Sequence, residues 1–120
     1  MRPIRVKAKG RRKQPPGVMN KTEKLYLEHL ELELRAGNIL WYSFEAIKLR
    51  LAKNTFYTPD VAVMNKDGEI ELHEVKGHWE DDARVKFKVI MEKFWMFRFV
   101  LVKRIKGGWL LEGLRGGDPE

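Results

Sequence analysis

The stretch Tyr57–Gly77, YTPDVAVMNKDGEIELHEVKG, decides how this chain is read. Val61 to Met64 and Ile70 to Val75 read as strands, and Asn65-Lys66-Asp67-Gly68 is the turn between them. Gly68 suits the left-handed position of a three-residue hairpin loop, a type I turn closed by a bulge. In that register Asn65 faces Glu69, and counting outward along both strands Asp60 faces Glu74. Lys76 lies two residues beyond Glu74 and projects from the same face, about 7 Å further along the strand. A two- or four-residue loop would turn Asp60 to the opposite face.

Two converging carboxylates suit a hard divalent cation, because Mg²⁺ takes oxygen ligands and is held by one or two carboxylates plus substrate phosphate. A lysine beside them can orient a nucleophilic water or offset phosphate charge. The bland alternative is a solvated strand pair in which Asp60 and Lys76 make an ordinary cross-strand ion pair. Against it, Ala62, Met64, Ile70 and Leu72 share the face, so the acids end an apolar strip. Facing carboxylates repel. A bound cation removes that conflict, and so would a raised carboxylate pKa. The chemistry suggested is metal-dependent phosphodiester cleavage.

The 120 residues suit one domain with a modest core. There is no cysteine, which excludes disulfides and thiolate metal sites. No apolar run approaches the roughly 20 residues of a membrane span and no signal-peptide core opens the chain, so a cytoplasmic protein without membrane contact is expected. The net charge of +7 is uneven. Residues 1–22 hold eight Lys or Arg and no acid, while the remainder holds 16 basic and 17 acidic groups. Arg11-Arg12-Lys13-Gln14-Pro15-Pro16-Gly17 is too charged and proline-rich to pack, and reads as a flexible arm. With Lys21, these cations suit a polyphosphate backbone. A solubility tail or membrane-surface patch is the alternative, but the arm lacks the apolar face of an interfacial helix.

Asn20 or Thr22 caps a helix reaching about Ala36, with Gly37-Asn38 ending it. Ile39 to Phe44 is a strand, and Ile47 to Leu51 alternates apolar and basic residues as a strand with one solvated face. Glu80 or Asp81 opens a second helix to about Phe94, with Ala83, Phe87, Ile90, Met91 and Phe94 as its apolar stripe. Phe97 to Val102 is a buried strand, and Trp109-Leu110-Leu111 an edge strand. The expected layout is a basic arm (1–19), a core (20–112) and a frayed tail (113–120). A helix, antiparallel strands, a helix and a last strand give an α/β fold, a mixed central sheet flanked by helices.

Asn20-Lys-Thr-Glu23, Tyr57-Thr-Pro-Asp60, Glu74-Val-Lys-Gly77 and Trp79-Glu-Asp-Asp-Ala83, in that order, resemble the PD-(D/E)XK nuclease superfamily. Within it they resemble small phage endonucleases and the phage endonuclease I class of Holliday junction resolvases. The resemblance covers roughly residues 20–104 and implies a restriction-endonuclease-like core. Carried over, Asp60 and Glu74 become ligands of Mg²⁺, with Mn²⁺ as substitute, and the Val75 carbonyl adds an oxygen. Lys76 becomes the catalytic lysine. Glu23 matches a helix-borne acid that contacts the metal site, although Asn20-x-x-Glu23 also fits a variant capping box. Leu27, Leu30 and Leu34 share its helical face and turn Glu23 toward the core.

The second helix follows the Lys76 strand directly, so Arg84, Lys86 and Lys88 fall near the active-site edge, where they could touch phosphate. The alternative for each is a solvated helix face. His29, His73 and His78 form no spaced ligand pair, so zinc is not expected, and no Gly-rich loop marks a nucleotide cofactor. Trp79 and Trp95 suit base stacking or, more ordinarily, packing. The chain is close to a minimal catalytic core, which favours recognition of DNA shape. A four-way junction would match a homodimer. The expected function is a metal-dependent endonuclease, branch-selective. The alternatives are a nicking or restriction-type enzyme on duplex, or a non-catalytic DNA-binding protein.

Overall fold

The computed structural model describes residues 17–76 and 81–115, with backbone alone for 81–86 and 114–115. Its central sheet is built outward from the expected hairpin. Strands β4 (Val61–Asn65) and β5 (Ile70–Lys76), numbered in chain order, pair antiparallel, with Val61 opposite His73 and Met64 opposite Ile70. This is the three-residue-loop register. Gly68 has φ +82° and donates its N–H to the Asn65 carbonyl at 3.0 Å, while the Asn65 N–H reaches the Glu69 carbonyl at 2.9 Å. Asn65 Oδ1 further accepts from the N–H groups of Asp67 and Glu69, both at 3.0 Å, which fixes the loop.

Strand β1 (Ile39–Phe44) adds antiparallel to β4 on one side. On the other, β6 (Arg98–Ile105) lies parallel to β5, and β7 (Gly108–Arg115) closes the edge antiparallel to β6. The sheet order is β1-β4-β5-β6-β7. Strands β2 (Leu49–Ala52) and β3 (Thr55–Tyr57) form a separate hairpin. A parallel neighbour needs a crossover, and helix α2 (Asp81–Lys93) supplies it.

Alternation on β4, β5 and β6 assigns one helix to each face. Ala62, Leu72, Phe99 and Leu101 pack with Phe87 and Ile90 of α2 and with Leu49 and Tyr57 of the small hairpin. Val61, Val63, Val75, Val100 and Val102 pack with Tyr26 and Leu30 of helix α1 (Lys21–Arg35). Fully buried side chains such as Ile90 and Phe87 contribute about 1.5–3 kcal/mol each, so two or three per helix suffice to dock it. The result is the α/β architecture expected, a mixed sheet between helices.

Several boundaries differ from expectation, and β6 runs on to Ile105 where a strand ending at Val102 was expected. The second strand of the chain starts at Leu49 rather than Ile47. More telling, β7 runs to Arg115, past the point where Gly113 was expected to begin a frayed tail. Gly113 pairs with Val100, and a Cβ there would meet the Arg98 guanidinium at 2.7 Å. The glycine makes room for a side chain crossing over the strand and does not mark an end. The arm (1–16) and residues 116–120 lie outside the described residues.

Candidate functional site

Pro59 has no N–H to give a ladder, so strand pairing cannot continue through it. Strand β4 accordingly begins at Val61, and Asp60 sits in a bend just before it. Its carboxylate stands in for the missing backbone partner: Asp60 Oδ2 accepts from the Val75 N–H at 2.9 Å. The Asp60 carbonyl accepts from the Glu45 N–H at 2.8 Å, which ties the bend to the end of β1. Side chain and backbone are thus both held at the end of the sheet where β5 and β6 finish.

Glu74 and Lys76 occupy alternate positions of β5, on the face of Leu72. Lys76 Nζ is 3.5 Å from Glu74 Oε2. The Tyr57 hydroxyl donates to Glu74 Oε1 at 2.5 Å. Asp60, Glu74 and Lys76 are only 0%, 1% and 3% exposed. The structure therefore brings together the two strand acids and the lysine, and adds Tyr57, to which sequence reasoning gave no role. Tyr57 was within the quoted motif, but its contact spans 17 positions and depends on how the small hairpin folds over the sheet. Val75 contributes its N–H to Asp60 and its side chain to the α1 face.

Glu23 is in the first turn of α1 and 3% exposed. The capping box is formed in full: Glu23 N–H donates to Asn20 Oδ1 at 2.8 Å, and Asn20 N–H to Glu23 Oε1 at 3.0 Å. Helix α1 leads into β1 from the far end of the sheet, so its start, with Glu23, lies at the Asp60 end. Among the described residues no group of three or more His, Asp or Glu side chains is gathered around one point for a metal ion. Asp60 and Glu74 are a two-acid set.

The opposite face of β5 carries a second polar chain. The Tyr26 hydroxyl is 2.6 Å from His73 Nδ1, and His73 Nε2 is 3.0 Å from Glu71 Oε1. Asn65 Nδ2 donates to Glu71 Oε2 at 3.0 Å, and Arg98 Nε lies 4.0 Å from the same oxygen. Burial above all, then the Glu71 and Glu33 carboxylates, push the Tyr26 phenol far above its ordinary range. Tyr26 therefore stays protonated and donates, which leaves His73 Nδ1 as acceptor and Nε2 as the donor to Glu71. That bond from His73 is the first cause holding the Glu71 carboxyl below the usual carboxylate range; Asn65 and Arg98 add to it.

The remaining expected contacts are less concentrated. Lys21 and Lys88 are exposed on α1 and α2. Arg11, Arg12, Lys13, His78 and Trp79 lie outside the described residues, as do the side chains of Arg84 and Lys86. His29 stacks on Tyr26 at 5.8 Å and so joins the aromatic packing of α1. Trp95 is 62% exposed, which removes it from the core. No helix among the described residues is long and apolar enough to cross a membrane.

Fold and site define an α/β protein with a buried acid–acid–lysine cluster at the end of a mixed sheet. The chain belongs to the family described as "Protein of unknown function (DUF1064)", whose model matches residues 7–114. The matched region takes in the basic run Arg11-Arg12-Lys13 and the sheet as far as residue 114, one short of the end of β7. No curated protein and no solved structure matches the chain.

Proposed function

We propose that this protein is a metal-dependent DNA endonuclease of PD-(D/E)XK type, with Asp60, Glu74 and Lys76 as its catalytic residues. The observation that carries the reading is the burial of these three ionisable groups at one place. Removing a charge from water costs several kcal/mol per ion even after relaxation, and an apolar replacement of a buried pair is often as stable or more so. Stability alone thus gives little reason to keep the cluster, whereas ionisable groups buried together at one point are what a reaction centre needs.

The two carboxylates fit a hard divalent cation by donor type, and Asp60 and Glu74 would hold it, with the Val75 carbonyl and Glu23 as further oxygens. When bound, Mg²⁺ or Mn²⁺ lowers the pKa of water and neutralises phosphate oxygens. Lys76, fixed against Glu74, presents its ammonium to the non-bridging oxygen on which charge builds, or orients the attacking water. Tyr57 holds Glu74 in one rotamer. Asp60, clamped by Val75, cannot swing away. The basic arm, with Lys21, Arg84, Lys86 and Lys88, supplies sequence-independent phosphate contacts. A branched substrate such as a four-way junction, cut by a homodimer in the cytoplasm, is the form of this activity we favour.

The test is cleavage of an end-labelled immobile four-way junction beside a linear duplex of the same sequence, in Mg²⁺, Mn²⁺ and EDTA. Asp60→Asn and Glu74→Gln keep shape but lose charge. Each is expected to lower cutting about 10²–10³-fold, the scale of losing a principal electrostatic contribution, while DNA binding persists. Wild-type rates in either variant would remove the assignment. Equal cutting of the linear duplex would keep the nuclease and drop the junction.

A further inference from the structure

The parallel register of β5 and β6 sets Lys103 beside Lys76. Neighbouring strands are about 4.8 Å apart, and side chains of paired residues share a face. Lys103 follows Leu101 by two residues, and Leu101 packs on the α2 side. Lys103 therefore projects on the face that bears Glu74 and Lys76, one strand over. Lys76 is buried and Lys103 is exposed, so Lys103 stands where the buried cluster meets solvent. Just beyond it the end of β6 adds Arg104 and the β6–β7 turn adds Lys106, both exposed. Three cations fall within four residues, Lys103-Arg104-Ile105-Lys106, with no acid among them. Among the described residues none of the three is held in an ion pair or side-chain hydrogen bond. The nearest acid along the hairpin on that face, Glu112, is level with Leu101 and so lies a step back from the tip.

We propose that the β6–β7 hairpin is the phosphate-binding lip of the site: Lys103 holds a DNA phosphate next to the scissile one, and Arg104 and Lys106 follow the backbone away from it. The proposal rests on the nuclease reading for the identity of its ligand. Lys76, buried against Glu74, is taken up at the scissile phosphate, which leaves the neighbouring phosphate to another cation. The exposed lysine in register with it can hold that phosphate without any change in the sheet. Because Arg104 alternates to the α1 face and Lys106 sits at the turn, the three charges fan around the hairpin end. That suits a backbone passing across the tip rather than a small anion in a pocket.

The experiment uses the full chain and a short fluorescein-labelled DNA duplex. Anisotropy in EDTA gives affinity against salt, and a parallel Mg²⁺ assay gives cutting. Lys103→Ala/Arg104→Ala/Lys106→Ala is compared with a charge-matched control at the other end of the molecule, Arg35→Ala/Lys53→Ala/Lys66→Ala. A cation that neutralises one phosphate steepens the dependence of log affinity on log salt by about 0.9. The hairpin variant should show a slope shallower by about 2 to 3, and the control should keep the wild-type slope. Lys103→Gln alone should reduce it by about 1 and raise KM more than it lowers kcat. A wild-type slope in the hairpin variant, from a chain that binds and cuts DNA normally, overturns the lip and leaves the nuclease standing. A reduced slope in a chain whose wild type never cuts keeps the lip as a DNA contact and removes the nuclease. Wild-type protein that does not bind DNA overturns the lip outright.

Discussion

A single hydroxyl shows how closely this cluster is arranged. Tyr57 is 1% exposed, and its O–H donates to a carboxylate as buried as itself. Tyr57→Phe keeps the ring and its edge-on contact with Phe87 but strips a partner from Glu74. Leaving a buried acceptor unsatisfied costs about 1–3 kcal/mol, more for a charged one. Outer partners of metal ligands are worth about 10–100-fold in metal affinity. The variant should therefore melt lower and bind Mn²⁺ at least about tenfold more weakly by titration calorimetry. Unchanged Mn²⁺ binding with a lowered melting point would make Tyr57 a packing residue only.

At the level of elements, the β4–β5 hairpin was legible because everything that sets it is local. Gly68, the Asn65 side chain and the alternation of Ala62, Met64, Ile70 and Leu72 act within a dozen positions, and they set the register that places Val61 opposite His73. The same is true of the α1 cap. Gly113 was misread because what occupies its space, Arg98, comes from another strand. The lip cations were in plain view as a basic run, yet their meaning depends on the pairing of Lys76 with Lys103 through a crossover, which no local pattern encodes. Helix α1 offers a way to separate two roles of one residue. Asn20→Ala should lower stability by about 1 kcal/mol in urea denaturation, the value of a missing N-cap. Glu23→Gln retains an oxygen able to accept from the Asn20 N–H, so it should spare most of that stability while reducing Mg²⁺-dependent cutting. Wild-type cutting by Glu23→Gln would confine Glu23 to the cap.

Across the whole molecule, the Tyr26–His73–Glu71 chain links α1 to β5 and continues through Asn65 to β4 and Arg98 to β6. It lies on the side of the sheet away from Glu74. Glu71 has its folded-state pKa depressed, mainly by His73. A depressed carboxylate contributes stability that is fully present above its unfolded value, near 4.5, and is lost as pH falls through the lower folded value. Glu71→Gln removes that contribution. Its melting temperature should fall less steeply than wild type's as the buffer is taken below about pH 4.5. Parallel acid limbs in the two proteins would place the acid sensitivity elsewhere.

The order in which the chain is made gives the hairpin a further consequence. Asp60 and Glu74 are joined by a loop so short that closing it carries little entropy, and both are synthesised before any of β6. A nascent chain can thus bring its two acids together while still on the ribosome, with neither α2 nor β6 yet available to bury them. Lys103 joins only after the crossover has formed, by a non-local pairing of the kind that slows folding. The proposed cation site is therefore set by a local pairing, and the proposed polyanion contact by a non-local one.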